Sequence, residues 1–279
     1  MEAFEEKRDA SQSTGGSGAE MLVQELDAGL PLGADRVEIG PLEILRMDRA
    51  AVISLFRSSV LLRKPLDVAI CNAHTILTAL DDSAFCETLQ QMTLLNDGIG
   101  ANLASRYLHG VSFPDNLNGT DLVPDILENI GIPLRLYMLG AKDDELKLAK
   151  AHLEARYPLH TVVGARNGYF SPDQADVVCQ VIADTNPDLL LVGMGNPRQE
   201  KFLVDNRAKL NVTVSIGVGA LFDFMSGRVV RAPKFVRALG LEWLFRLLQE
   251  PKRLFQRYII GIPRFFLALR RLKRLGNPT

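Results

Sequence analysis

Residues capable of chemistry in this 279-residue chain cluster just past its short apolar runs. The clusters are Cys71-Asn72-Ala73-His74, Asn96-Asp97-Gly98-Ile99-Gly100, Leu139-Gly140-Ala141-Lys142, the stretch from Gly164 to Phe170, Gly193-Met194-Gly195-Asn196-Pro197, and Gly217-Val218-Gly219-Ala220. Glycine recurs at nearly every one. It permits positive φ and close backbone approach, and a helix starting after it offers free N–H groups to a phosphate. The spacing therefore points to a phosphate-bearing ligand, with Gly98, Gly100 and Gly195 among its candidate contacts. Asp97 is the one carboxylate placed directly between an apolar run and a Gly-x-Gly turn. Partly desolvated there, it would hold a raised pKa and serve as a general base. A turn-stabilising or helix-capping aspartate is the structural alternative. Asn72 and His74 carry the same ambiguity, as an N-capping residue and a core-edge histidine. Gln199 closes Asn196-Pro197-Arg198-Gln199, a helix-start pattern repeated at Ser171-Pro172-Asp173-Gln174, so a capping role stands beside a ligand contact.

Several cofactors are disfavoured. Gly98-x-Gly100 is followed by Leu103, and Gly217-x-Gly219 by Phe222, where the dinucleotide fingerprint requires glycine. There is no Walker A pattern and no Asp-x-Asp pair to hold a divalent ion on a sugar nucleotide, so neither cofactor nor metal is expected.

The elements that must position these residues are legible from periodicity. Strands are predicted at 67–71, 92–96, 134–139, 160–163, 188–192 and 212–216, and helices at 49–63, 100–109, 120–130, 143–157, 172–184 and 197–209. Alternation of this kind predicts an α/β fold, a Rossmann-like, mostly parallel sheet with helices on both faces. Ligands then bind outside the carboxyl ends of the strands, where the glycine clusters fall. Three regions are expected: a flexible acidic, Gly/Ser-containing tail over 1–36, a catalytic α/β domain over 37–227, and a C-terminal appendage over 228–279.

Composition narrows the class. With 47% apolar and 23% charged residues the chain is that of a globular protein. Its three cysteines are too few and scattered for a disulfide framework, which suits a reducing cytosolic setting. No run approaches the ~18 apolar residues of a membrane span, and the acidic start MEAFEEKRDASQ does not read as a signal peptide. The formal net charge of −1 conceals an asymmetry. Residues 228–279 hold ten Arg and three Lys against two Glu, a net +11, leaving −12 for residues 1–227. From Gly240 the appendage interleaves Leu, Phe, Trp, Tyr and Ile with Arg and Lys at helical spacing. That pattern fits a basic amphipathic helix lying on an anionic membrane surface, the alternative being a docked hairpin with solvated arginines. Nucleic acid is not expected, since no binding module is recognisable.

The motifs together are similar to those of the WecG/TagA/CpsF glycosyltransferases (glycosyltransferase family 26), and among them the GumM-like members. The resemblance covers roughly residues 37–257. It rests on Asn96 to Gly100, Gly168-Tyr169-Phe170, Gly193 to Phe202, Gly217-Val218-Gly219, and Arg231-Ala232-Pro233-Lys234 through Gly240-Leu241-Glu242-Trp243-Leu244-Phe245-Arg246 to Glu250-Pro251. It implies inverting transfer of a hexose, glucose in the GumM-like branch, from a UDP-sugar to a sugar on a polyprenyl pyrophosphate. The setting implied is the cytoplasmic membrane face in exopolysaccharide synthesis. Asp97 takes the position of the proposed base, Asn72 that of an amide near the sugar, and Gln199 that of a glutamine by the donor pocket. Arg246 and Arg253 match arginines of an appendage that closes the site on the membrane, and Arg231 opens the longest shared stretch. Oligomers through the body are implied as well. Three departures bear on the substrates. Asn116-Leu117-Asn118-Gly119 replaces an Arg-x-x-Gly pattern, Gln256 with Arg257 beside it stands at a third appendage arginine, and His74 replaces an acidic residue. An N-acetylmannosaminyl or N-acetylmannosaminuronyl transferase of the same family is the nearest alternative. A nucleotide-dependent dehydrogenase and a non-catalytic, membrane-associated nucleotide-binding scaffold are the readings from other classes.

Overall fold

In a computed structural model describing residues 35–233, 236 and 241–276, all six expected strands form and two more precede them. Strands β1 (Arg36–Ile39) and β2 (Leu42–Leu45) flank a Gly40-Pro41 turn; β1 buries Val37 and Ile39 in alternation, and β2 buries Leu42, Ile44 and Leu45. After α1 (Arg49–Leu61), the chain alternates between sheet and helix. Next come β3 (Leu66–Cys71), α2 (Ala73–Asp81), α3 (Ser83–Gln90), β4 (Thr93–Asn96), α4 (Gly98–His109) and α5 (Gly119–Asn129). The second half runs β5 (Arg135–Gly140), α6 (Asp143–Arg156), β6 (Thr161–Arg166), α7 (Ala175–Asp184), β7 (Leu189–Gly193), α8 (Arg198–Leu210), β8 (Val214–Gly217) and α9 (Leu221–Met225). The tail expected over 1–36 lies outside the described residues except for its last two.

Helices α2 and α3 were not among the expected ones. Each is short and each starts on a capping side chain: Asn72 accepts from the N–H groups of His74 and Thr75, and Asp82 from that of Phe85. The repeated helix start also divides in two. Ser171 to Gln174 forms its capping box and a single 3₁₀ turn before α7. At α8 the helix begins one residue later than predicted, with Pro197 in the cap position and no side-chain cap.

The eight strands lie in the order β1-β2-β4-β3-β8-β7-β5-β6. Only β1 runs antiparallel, to β2; every other pairing is parallel. The central strands are buried on both sides, as in the Leu189-Leu190-Leu191-Val192 run of β7. One core holds α2, α3, α4, α7 and α8, and the core on the opposite face holds α1, α5, α6 and α9. The fold is thus the expected α/β, Rossmann-like arrangement with helices on both faces.

The basic C-terminal segment is helical: α10 (Glu242–Gln249), α11 (Pro251–Phe255), a wide π turn (Gln256–Ile260) and α12 (Gly261–Arg274). Helix α12 packs on α2 and α4 and inserts Phe265, Leu269 and Leu272 into the body's own core. Each such side chain contributes about 1.5–3 kcal/mol. The exposed Arg264–Asp81 ion pair adds under about 1 kcal/mol, so apolar burial rather than charge holds this helix in place. Among the described residues no helix is long and apolar enough to cross a membrane.

Candidate functional site

Strand register brings the first two candidate residues together. Cys71 of β3 pairs with Asn96 of β4, and the Asp97 N–H continues the ladder to the Cys71 carbonyl at 2.9 Å. The residues that follow, Asn72 and Asp97, therefore leave the sheet side by side. Asn72 does cap α2, and because Oδ1 is committed to the N–H groups of His74 and Thr75, its Nδ2 turns toward the Asp97 carboxylate at 3.3 Å. Capping and contact are two ends of one amide.

Asp97 occupies the N-cap position of α4 yet makes no capping bond. Asn116 does that work instead, accepting from the Gly98 N–H at 2.7 Å. This is the asparagine that replaces the arginine of the Arg-x-x-Gly pattern; two residues on, Asn118 caps α5 through the Asp121 N–H. The capping alternative for Asp97 thus gives way to a half-buried carboxylate facing open space. Gly100 has a packing reason: a Cβ there would lie 2.6 Å from Ala73 Cβ, so its absence lets α4 approach α2.

On the far side of β3, Gln199 is 4% exposed. Its Oε1 accepts from Gly195 N–H at 3.1 Å and Gly219 N–H at 3.2 Å, and its Nε2 donates to Glu200 Oε1 at 2.8 Å. Gln199 lines the cavity while most of its hydrogen-bonding capacity is spent inside the protein, on the loops rather than on a capping box. It is a clamp joining the loops after β7 and β8. A Cβ on Gly217 would stand 2.6 Å from its Nε2, which explains that glycine. The N–H groups of Gly98, Gly195 and Gly219 already have side-chain acceptors, so they are not the phosphate cradle that spacing suggested.

Burial pushes the Asp97 carboxyl above the usual range, opposed by Arg257, by the Asn72 hydrogen bond and by Arg246, while Asp121 reinforces the rise. Burial also drives His74 down to about 4, with Arg257 adding to the effect, so this imidazole is neutral near pH 7. Glu200 is raised by burial against the Gln199 hydrogen bond. The Cys71 thiol is raised by burial, then by Glu200 and Asp97, and stays protonated.

Above the strand ends lies a cavity of about 510 Å³ whose opposite wall is the appendage. Asn72, His74, Asp97 and Gly98 line it, as do Gly100, Gly195, Gln199 and Arg246. The N-terminal turn of α5, at Gly119 and Thr120, also opens on it and presents the positive end of a helix dipole. Arg246 lies over the Phe224 ring at 5.3 Å, and Trp243 meets Tyr258 edge-on at 5.8 Å. Arg231 stands outside the lining, bonded to Asp121 at 2.5 Å and 3.9 Å from Glu242, where it ties the appendage to α5. Arg253 falls on α11, but its side chain lies outside what the structure describes. Arg257, Glu200, Asn196 and Trp243 line the cavity without having been singled out as site residues. Arg257 could have been found as the basic neighbour of Gln256, and Glu200 and Asn196 as members of the same motif as Gln199. Among the described residues no three His, Cys, Asp or Glu side chains are grouped to hold a metal ion.

A carboxylate, a neutral imidazole and two arginines around one cavity suit transfer of a group from an anionic leaving group. The profile of the glycosyl transferase WecG/TagA/CpsF family matches residues 37–277, all but the ends of the chain. That span includes the strand-end carboxylate and the arginine-bearing appendage alike, and this chain belongs to the WecG/TagA/CpsF family of glycosyltransferases, which act on a nucleotide-sugar donor and a sugar acceptor.

Proposed function

We propose that the chain is an inverting hexosyltransferase that moves glucose from a UDP-sugar to a sugar carried on a polyprenyl pyrophosphate, at the cytoplasmic membrane face in exopolysaccharide synthesis. One observation carries the reading. Asp97 sits at a helix cap position without capping, and faces Arg246 and Arg257 across the same cavity. In that frame the acceptor hydroxyl attacks the anomeric carbon from the face opposite UDP. Its proton passes to Asp97, the bond from the anomeric carbon to the β-phosphate oxygen breaks, and the electron pair leaves with UDP. Asn72 orients the base. Arg246 and Arg257 offset the charge on the departing diphosphate, a task suited to the planar guanidinium fork, and the N-terminus of α5 adds to that field.

The appendage gives the reading its membrane side. Its inner residues line the cavity, while Leu248, Phe255, Ile259, Ile260 and Leu267 remain exposed among arginines and lysines. An apolar and cationic surface of this kind suits an anionic bilayer, the source of a lipid-linked acceptor. The test is UDP release by purified protein given UDP-glucose and a short-chain glucosyl-pyrophosphoryl lipid. Acceptor-dependent release supports the reading. Release only with UDP-N-acetylmannosamine and an N-acetylglucosaminyl lipid keeps the mechanism and replaces the substrate pair.

A further inference from the structure

The cavity floor holds polar atoms that the mechanism leaves unused. Glu200 is 1% exposed; its Oε1 accepts from Gln199, but its Oε2 is buried without a hydrogen-bond partner. Beside it in the motif, the Asn196 amide is also buried; it lies close enough to Glu200 to act on its carboxyl, yet neither Oδ1 nor Nδ2 completes a well-formed hydrogen bond, and both residues line the cavity. Buried side-chain polar atoms are nearly always well paired, so a carboxylate and an amide that meet only loosely at the cavity wall mark a site with hydrogen-bonding capacity left for a polar group. We propose that Glu200 and Asn196 form the hexose-reading site of the donor pocket, binding one or more ring hydroxyls of the transferred sugar. The inference rests on the nucleotide-sugar transfer proposed above.

Chemistry and position favour a hydroxyl over the donor's other parts. A phosphate is a poor fit, because Glu200 brings a second acidic group to a floor that already holds Asp97, and none of the influences on Glu200 comes from a cation. For the diphosphate the cavity lining offers arginines and the N-terminus of α5 instead. A hydroxyl both donates and accepts, so it pairs with Glu200 Oε2 in either protonation state and with either end of the Asn196 amide. Cys71, at the end of β3, feels both Asp97 and Glu200. Asp97 follows β4 on one side of β3, and Glu200 comes from α8 on the side of β8 and β7. A sugar whose anomeric carbon meets an acceptor held by Asp97 extends its ring toward Glu200 across that gap, which at the strand ends is about two strand spacings, ~9.6 Å, from β4 past β3 to β8. Buried polar groups built to bind a hydroxyl discriminate sharply against ligands that leave them unpaired.

The experiment is calorimetric titration of the full-length chain with UDP, UDP-glucose, UDP-N-acetylglucosamine and UDP-N-acetylmannosamine, taking the ratio of the Kd for UDP to that for the tightest UDP-sugar. Glu200→Met should lower this ratio by about 10- to 100-fold while leaving UDP affinity in place. Glu200→Gln keeps a donor and an acceptor and should retain most of the ratio. Asn196→Ala, which leaves the Gln199 clamp intact, should move the ratio in the same direction as Glu200→Met and serves if that variant does not fold. A Glu200 that only supports the fold would weaken UDP and UDP-sugars equally. An unchanged ratio in both variants overturns the hexose-reading site while donor binding stands. Failure of the wild-type chain to bind any of the four compounds overturns the donor reading itself, and the inference with it.

Discussion

Replacing Asp97 by Asn tests the proposed chemistry most directly, because the change removes a base while keeping its shape. The amide can still accept from Asn72 Nδ2, now 3.3 Å from the carboxylate, and no capping bond is lost because Asp97 makes none. What disappears is the proton acceptor, worth about 10²- to 10⁴-fold in rate, or roughly 3–5 kcal/mol of barrier. The pH profile supplies a second readout. Burial holds Asp97 above its ordinary value of 3.8, so turnover should fall on the acid side with a midpoint above that value, and the Asn variant should lack this limb. Stability should move the other way. A carboxyl whose folded pKa is raised binds more protons folded than unfolded, so its ionisation destabilises the fold as pH rises from the ordinary toward the raised value. Removing it should therefore leave Tm at pH 7 unchanged or higher. The assay is acceptor-dependent UDP release from pH 4 to 9, with thermal melts in parallel. Turnover within ~10-fold of wild type with the acid limb intact would refute the assignment of Asp97 as base.

Arg246→Met should lower kcat by about 10²- to 10³-fold with little change in Tm, and comparable loss of Tm and rate would make its role structural. Gln199→Leu removes the acceptor for the Gly195 and Gly219 N–H groups and the donor to Glu200; urea unfolding should show a loss of about 1–3 kcal/mol, and no loss would dismiss the clamp. Since His74 is held near 4, the pH–rate profile should show no limb near 6.5 that His74→Gln abolishes. Deleting the appendage would strip Phe265, Leu269 and Leu272 from the core, so membrane contact is better tested by Leu248→Ser with Phe255→Ser. This pair should reduce sedimentation with anionic vesicles and leave the fold intact; undiminished sedimentation would count against these residues as the contact surface.

Much of the architecture could be read from one dimension. Short apolar runs that are buried on both sides, alternating with capped amphipathic stretches, determine a parallel sheet between helices, and the positions of the strand ends follow from where those runs stop. Asp97, Asn72 and His74 stand at strand ends located in that way. The hairpin Arg36–Leu45 and helices α2 and α3 were legible in principle, through the Gly40-Pro41 turn and the caps at Asn72 and Asp82, but they are too short to impose a period. What only the tertiary structure decided is what each polar group does. Whether Asp97 caps its helix depends on Asn116 arriving from 19 residues away to take the Gly98 N–H. Whether Gln199 meets a ligand depends on Gly219, brought beside Gly195 by the pairing of β7 with β8. Periodicity records how a segment buries its own apolar face, whereas a buried hydrogen bond is chosen among donors and acceptors that the sheet order and register bring within 3 Å or so of one another, and that choice exists only after the chain has folded.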